Sequence, residues 1–435
     1  MPLRQIASRL STACFLIAFS SSEPAQAEVQ TLPSSADLAV VPELVTAETP
    51  GDFLLAFGTR TGAYAVPVVD GELHPSQSLV PTGWGLFPAA SVQLSRMPGR
   101  GMQLAFAQDN RAAIPSLTLW SSVLDNSLRP SAPVRMHFAG PGSRARPAEI
   151  DVLADASDEV CCSLVAWTYP EAHLAQLELR NARGERVASH EFTVDGSTDA
   201  RVRRPSLAYQ ADAGFFLVAY ETRRDIRVRP VYATRTSNGS GSFKSIGADL
   251  IVATKTQPAR YEDLVDGHPH VAYSAELRQF LVTWLDHTSS TGTARRVMAR
   301  ALTRAGVPSG ASFVVQTSCA PSNWTCLLTR PTADGAPQVF AMPGGFQLSF
   351  AAMPWNQAGR SWGVLGFRLT AASSGFNLSS QWLPGSLEQA RISALRTAYD
   401  ARSGIAAATW LATTRDPAGP LVFEETSLKF ADFLP

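Results

Sequence analysis

Short apolar runs alternate with polar turns along nearly the whole chain. Between His268 and Thr317 four of them follow one another: HVAYS, QFLVTWL, RRVMARAL and SFVVQT. Each has the length and the β-branched and aromatic content of a strand, bounded by turn residues. Four such strands joined by polar loops predict one antiparallel meander. The pattern recurs. Taking Trp284 of QFLVTW as an anchor, its equivalents are Phe57, Phe106, Trp167, Tyr220, Phe350 and Trp410, each closing an apolar run. The seven anchors lie 49 to 66 residues apart.

The preceding strand repeats as well. Tyr209, Tyr273 and Tyr399 each stand eleven residues before their anchors, with Thr46 in the first copy. Pro42, Pro205 and Pro269, with Leu395 in the last copy, stand four residues earlier still. Gly51, Gly214 and Gly404 precede their anchors by six residues, where a hairpin turn needs positive φ. Third strands are read at AYAVPVV, SLTLW, LAQLELR, IRVRPVYA, RRVMARAL, SWGVLGFRL and PLVFEET. Fourth strands are read at PVRMHF, ASHEFTV, DLIVAT, SFVVQT and LKFADF. A lone four-stranded meander cannot bury both faces. Seven stacked around an axis bury each apolar face against a neighbour. The expectation is therefore all-β: a seven-bladed β-propeller of four-stranded antiparallel blades, with a linear β-solenoid or two sandwiches as alternatives. Residues 28–32 either add an outer strand to the last blade, or the ring closes by packing alone.

The phrase P-x-V-A-Y, a turn, F-L-V-x-W, a polar loop, R-x-V-M-A-R-A-L-T-R-A-G and then S-F-V-V-Q-T resembles the repeat of secreted bacterial β-propeller proteins. The resemblance runs from about Leu38 to Leu434. It implies the fold and export, and it brings no catalytic residues to particular positions.

Composition narrows the partners. Formal net charge over the 435 residues is zero, which argues against a general nucleic-acid binder. The first 27 residues read as a secretory signal peptide. Arg4 and Arg9 precede the apolar core Ala13 to Phe19, and Ala25-Gln26-Ala27 is a small-x-small cleavage site. One propeller domain, 28–435, would then be secreted or periplasmic. No later run is long enough for a transmembrane segment. Of the four cysteines left, Cys319 and Cys326 bracket a short loop and suit a local disulfide. Cys161-Cys162 is either a vicinal disulfide or two small strand residues facing opposite sides.

In a propeller, blade-to-blade connections and second-to-third-strand loops share one face. Here they are long and polar, and loops on a rigid scaffold are where binding usually resides. Arg203, Arg204, Arg223 and Arg224 cluster there, and guanidinium forks suit carboxylate, sulfate or phosphate groups. Trp84 and Trp355 could stack on sugar rings. The plainer reading pairs the arginines with Glu221, Asp225 and Asp266. His268-Pro269-His270 places two imidazoles on one side of an extended strand, near His287, as a metal or acid–base candidate; a polar strand start explains them equally. Asp151, Asp155, Asp158 and Glu159 lack EF-hand spacing and read as a solvated turn. No metal or cofactor motif stands out. Two functions follow. The first is a non-enzymatic exported protein binding an anionic glycan, an envelope component or a protein partner. The second is a lyase for acidic polysaccharide using Arg204, His268, His270 and Tyr261, an analogy at the level of fold.

Overall fold

A computed structural model describes residues 30–31, 42–59, 61–80, 89–97, 101–110, 116–139, 149–154, 162–169, 174–193, 202–236, 241–256, 267–287, 295–317, 327–328, 336–354, 363–373, 375–383, 386, 390–414 and 425–433. These residues form seven antiparallel sheets. The blades, in chain order, span 43–78, 89–139, 149–193, 203–254, 267–317, 327–382 and 390–433. The only helical element among the described residues is a single 3-10 turn, Ala211–Ala213. No described helix is long and apolar enough to cross a membrane.

All seven aromatic anchors lie on second strands and are buried, from Tyr220 and Trp410 at 0% exposure to Phe57 at 8%. Their spacing is a consequence of packing. Among the described residues there are seven apolar clusters, and each joins two neighbouring blades. Leu54 and Ala56 of the first blade meet Val92 and Leu104 of the second; Leu44 and Phe53 of the first meet Ala407 and Phe430 of the last. The innermost strands also touch in sequence all the way round, the first against the last included. The array is thus a closed seven-bladed β-propeller, and neither an open solenoid nor a pair of sandwiches.

Closure joins the two ends of the chain. Gln30–Thr31 pairs antiparallel with the outer edge of the last blade, Gln30 opposite Phe430 and Thr31 opposite Lys429. Gln30 also reaches into the first blade, donating from Nε2 to the Gly71 carbonyl and accepting the Leu73 N–H at 3.0 Å. On the other side of this seam the Asp400 carboxylate accepts the Gly51 N–H at 2.7 Å. Arg402 donates to the carbonyls of Ala47 and Glu48.

Two strand assignments need correction. In the last blade LKFADF belongs to the third strand, Glu425–Phe433, because the amino-terminal segment occupies the fourth position; most of PLVFEET lies outside the described residues. In the fourth blade the outer position is shared. Gly241–Ile246 and Leu250–Thr254 both pair with Asp225–Arg235, one beyond the other. The turn at Gly247, packed on Pro230, lets one long strand carry two short partners. The hairpin glycines are as expected: Gly51, Gly214 and Gly404 have φ of 89°, 57° and 75°.

Candidate ligand site in the axial channel

The innermost strand of each blade has one edge without a strand partner, so its N–H groups need other acceptors. Register shows what supplies them. In every blade one residue of the innermost strand lies opposite the residue just before the aromatic anchor. These residues are Glu43, Gln93, Asp151, Ser206, His270, Gln338 and Arg396. All seven are polar. They form one level of the axial channel, within the innermost strand in five blades and at its first residue in the first and sixth.

Three consecutive blade junctions are laced in the same way. The Leu207 N–H of the fourth blade donates to Asp151 Oδ2 of the third at 2.7 Å. The Val271 N–H of the fifth donates to Ser206 Oγ of the fourth at 3.2 Å. The Val339 N–H of the sixth donates to His270 Nδ1 of the fifth at 3.2 Å. Asp151 Oδ1 also accepts the Val152 N–H at 2.8 Å. At the closing seam the pair changes character: Arg396 of the last blade lies 3.4 Å from Glu43 of the first.

A backbone device sets the level in three blades. Arg204, His268 and Ala394 have φ of 53°, 43° and 54°, in the left-handed region. Each sits two residues before its ring residue, inside a β-bulge where pairing shifts: Arg203/Ser206, Gly267/His270 and Ser393/Arg396. Bulges re-aim side chains. Pro205 and Pro269 follow the left-handed residue where the ladder is broken, so a missing N–H costs nothing there.

The ring's electrostatics are unusual. Burial pushes Asp151 up to about 7, and the Glu43 charge adds to the rise. Burial also raises Glu43, against the pull of Arg396. Burial and then Arg396 push His270 down to about 3. At neutral pH His270 is therefore an uncharged ring, and accepting the Val339 N–H at Nδ1 leaves its proton on Nε2. Groups perturbed by burial plus a defined charge partner, set in a channel, mark a functional-site candidate.

Towards the face made by the first-to-second-strand hairpins, the channel widens into a cavity of about 340 Å³. Tyr209, Tyr273, Phe340 and Tyr399 line it. Phe340 and Tyr399 stack at 5.5 Å between centroids and 7° between planes. Leu207, Val271 and Val339, whose N–H groups bind the ring, form part of its wall.

The residues singled out in the sequence fall as follows. Arg204 Nη1 is 2.8 Å from Glu221 Oε1, and Lys255 Nζ is 2.9 Å from Glu221 Oε2. Arg203 is half-buried opposite Glu221 in the ladder. Arg223 is half-buried and Arg224 is exposed, its carbonyl accepting the Lys255 N–H at 2.7 Å. Asp225 pairs with Arg227. His268 and His270 share the innermost strand of the fifth blade, but the left-handed backbone at His268 breaks the alternation that would have put them on one side. His287 ends a second strand, opposite Arg295; its side chain is not described. Trp84, Trp355, Tyr261, Asp266, Cys161, Cys319 and Cys326 lie outside the described residues, as do Asp155, Asp158, Glu159 and residues 1–29. Cys162 is buried in the cluster between the third and fourth blades. No group of three or more metal-ligating side chains occurs among the described residues.

Asp151 was grouped with an acidic turn on sequence; it belongs instead to the innermost strand Glu149–Ala154 and faces the other ring members. The remaining ring residues, apart from His270, were missed. The available cue was spacing: Glu43, Ser206, His270 and Arg396 each stand fourteen residues before their anchors.

No protein-family model matches the chain, and no curated protein matches it. Among solved structures, the β-propeller domain of Cps50 (Swd1) from Myceliophteria thermophila aligns at 11% identity and a TM-score of 0.44, covering 88% of this chain and 96% of that one. An α-L-arabinofuranosidase from Fusarium graminearum, solved with an iminosugar inhibitor, aligns at 10% identity and a TM-score of 0.46, covering 90% and 92%. Neither likeness bears on ligand or activity. The class of molecule rests on the chain's own topology: a seven-bladed β-propeller of antiparallel, mostly four-stranded blades.

Proposed function

We propose that the chain is an exported, non-enzymatic binding protein that offers its loop-rich face to a glycan, an envelope component or a protein partner. The observation that carries this reading is the asymmetry of the connections. First-to-second-strand turns on the opposite face span two to six residues in six blades, whereas the first four blade-to-blade connections span nine to twelve. The laced inner strands provide a stiff platform for those loops, and Arg224 is exposed at the rim. Export rests on the first 27 residues, and a Cys319–Cys326 bridge would suit an oxidising compartment.

The lyase alternative draws less support. It needs a guanidinium free to neutralise a substrate carboxylate, and Arg204 is already ion-paired with Glu221. It also needs a competent base, and His270 is a weak one with Nδ1 engaged. The test is a glycan-array screen of the purified protein beside a turnover assay on polyuronates. Retention without turnover is the expected result. Unsaturated product that disappears on His268→Ala would replace this reading with the lyase.

A further inference from the structure

We propose that the axial channel binds an amine carrying a hydrocarbon or aryl tail, with the ammonium in the polar ring beside Asp151 and Glu43 and the tail in the aromatic cavity. The cavity gives the tail its place. Tyr209, Tyr273, Phe340 and Tyr399 offer apolar area and ring faces, which also attract a passing cation. Leu207, Val271 and Val339 line the cavity and donate their N–H groups to ring side chains, so a ligand filling the cavity borders the ring.

Charge then selects the head group. The ring holds two carboxylates and one guanidinium, and that guanidinium lies 3.4 Å from Glu43. His270 adds no charge at neutral pH. Asp151 is fixed by two backbone N–H groups, and among the described residues the cation acting on it is Arg396, which lies against Glu43. An ammonium supplies further positive charge, and Gln93 and Gln338, whose amides can accept from it, stand at the same register level. An anion would meet Glu43 and Asp151 unfavourably, and a neutral head group would leave the imbalance in place.

Length follows from register. Tyr209, Tyr273 and Tyr399 lie three residues beyond Ser206, His270 and Arg396, which is about 10 Å along a strand. A six-carbon amine spans much of that distance. This mouth lies on the face opposite the loop-rich one, so the proposal stands or falls separately from the function proposed above.

The experiment is calorimetric titration of the purified protein near pH 7 with hexylamine, hexanol and hexanoate, three probes with one tail. Hexylamine should bind at least tenfold tighter than hexanol, and hexanoate should not bind. Because Asp151 is only part-ionised near neutrality, amine binding should release protons, seen as a heat that changes with the ionisation enthalpy of the buffer. Asp151→Asn should abolish the tenfold preference; Tyr273→Leu should weaken both hexylamine and hexanol. If Asp151→Asn does not fold, the buffer dependence of the unmodified protein decides. Equal binding of hexanol, preference for hexanoate, binding without proton release, or no binding at millimolar probe would each overturn the proposal. So would displacement of hexylamine by a neutral sugar, which would mark the channel as a polyol site.

Discussion

Glu221 offers the sharpest test of how the rim of the fourth blade is held. Its carboxylate lies between Arg204 at 2.8 Å and Lys255 at 2.9 Å. Side-chain exposure is 4% for Glu221, 11% for Arg204 and 2% for Lys255. Exposed ion pairs contribute only about 0–1 kcal/mol, but these groups are shielded from water. Glu221→Gln keeps shape and removes the shared counter-charge, leaving two buried cations facing each other. Breaking a buried pair in this way costs roughly 3–5 kcal/mol. Most of that cost is the stranded Lys255, so adding Lys255→Met should restore a large part of the stability. The assay is equilibrium urea denaturation followed by tryptophan emission for the parent, the single variant and the double variant. A loss below about 1 kcal/mol for Glu221→Gln would show that these charges are solvated, as exposed pairs are. The pair with Glu221 would then no longer argue against the lyase.

Other expectations follow from the same geometry. Gln30→Ala removes two hydrogen bonds across the closing seam and should lower stability by roughly 1–3 kcal/mol in the same denaturation assay; an unchanged midpoint would mean the amino-terminal strand does not hold the ring. Trp410→Ala, at a fully buried anchor between the sixth and seventh blades, should cost about 3–5 kcal/mol, whereas Arg224→Ala on the exposed rim should shift the midpoint little. Stability against pH has two opposed contributions in the channel. His270 is depressed from 6.5 to about 3, so the unfolded chain takes up its proton first and stability falls as pH drops through that window. Asp151 is raised from 3.8 to about 7, so the folded chain holds its proton longer and stability falls as pH rises through its window; Glu43, also raised, acts in the same sense. Two raised carboxyls outweigh one depressed imidazole where the windows overlap, so urea midpoints should decline gently with rising pH. His270→Gln should steepen that decline and Asp151→Asn should flatten it, and two variants that parallel the parent would contradict the assignment.

The anchors could be read from sequence because each must fill a gap between neighbouring blades, so burial forces a large apolar residue at a fixed place in every copy. Gly51, Gly214 and Gly404 were legible for a similar reason, since a tight hairpin admits few alternatives to positive φ. The last blade misled because its fourth strand is supplied from Gln30–Thr31, some four hundred residues away, and nothing local to LKFADF reports that. Gln93 escapes notice, and Asp151 reads as part of a solvated turn, because sequence patterning treats a polar residue as facing bulk water. In a closed ring the same position faces a narrow channel. HPH reads as an extended strand in sequence, whereas the left-handed backbone at His268 is what sets the level of His270. Pro205 and Pro269, seen as part of the repeat, in fact mark that bulge.

Glu43 belongs to the first blade and Asp151 to the third, so their charges meet only if the blades surround a common axis. Carbon-13 NMR titration of the Asp151 carboxyl, assigned by its loss in Asp151→Asn, tests this directly. The account predicts a midpoint of about 7 that moves down towards the ordinary carboxylate range in Glu43→Gln. A midpoint near the ordinary 3.8, unmoved by Glu43→Gln, would contradict both the closed ring and the channel site built within it.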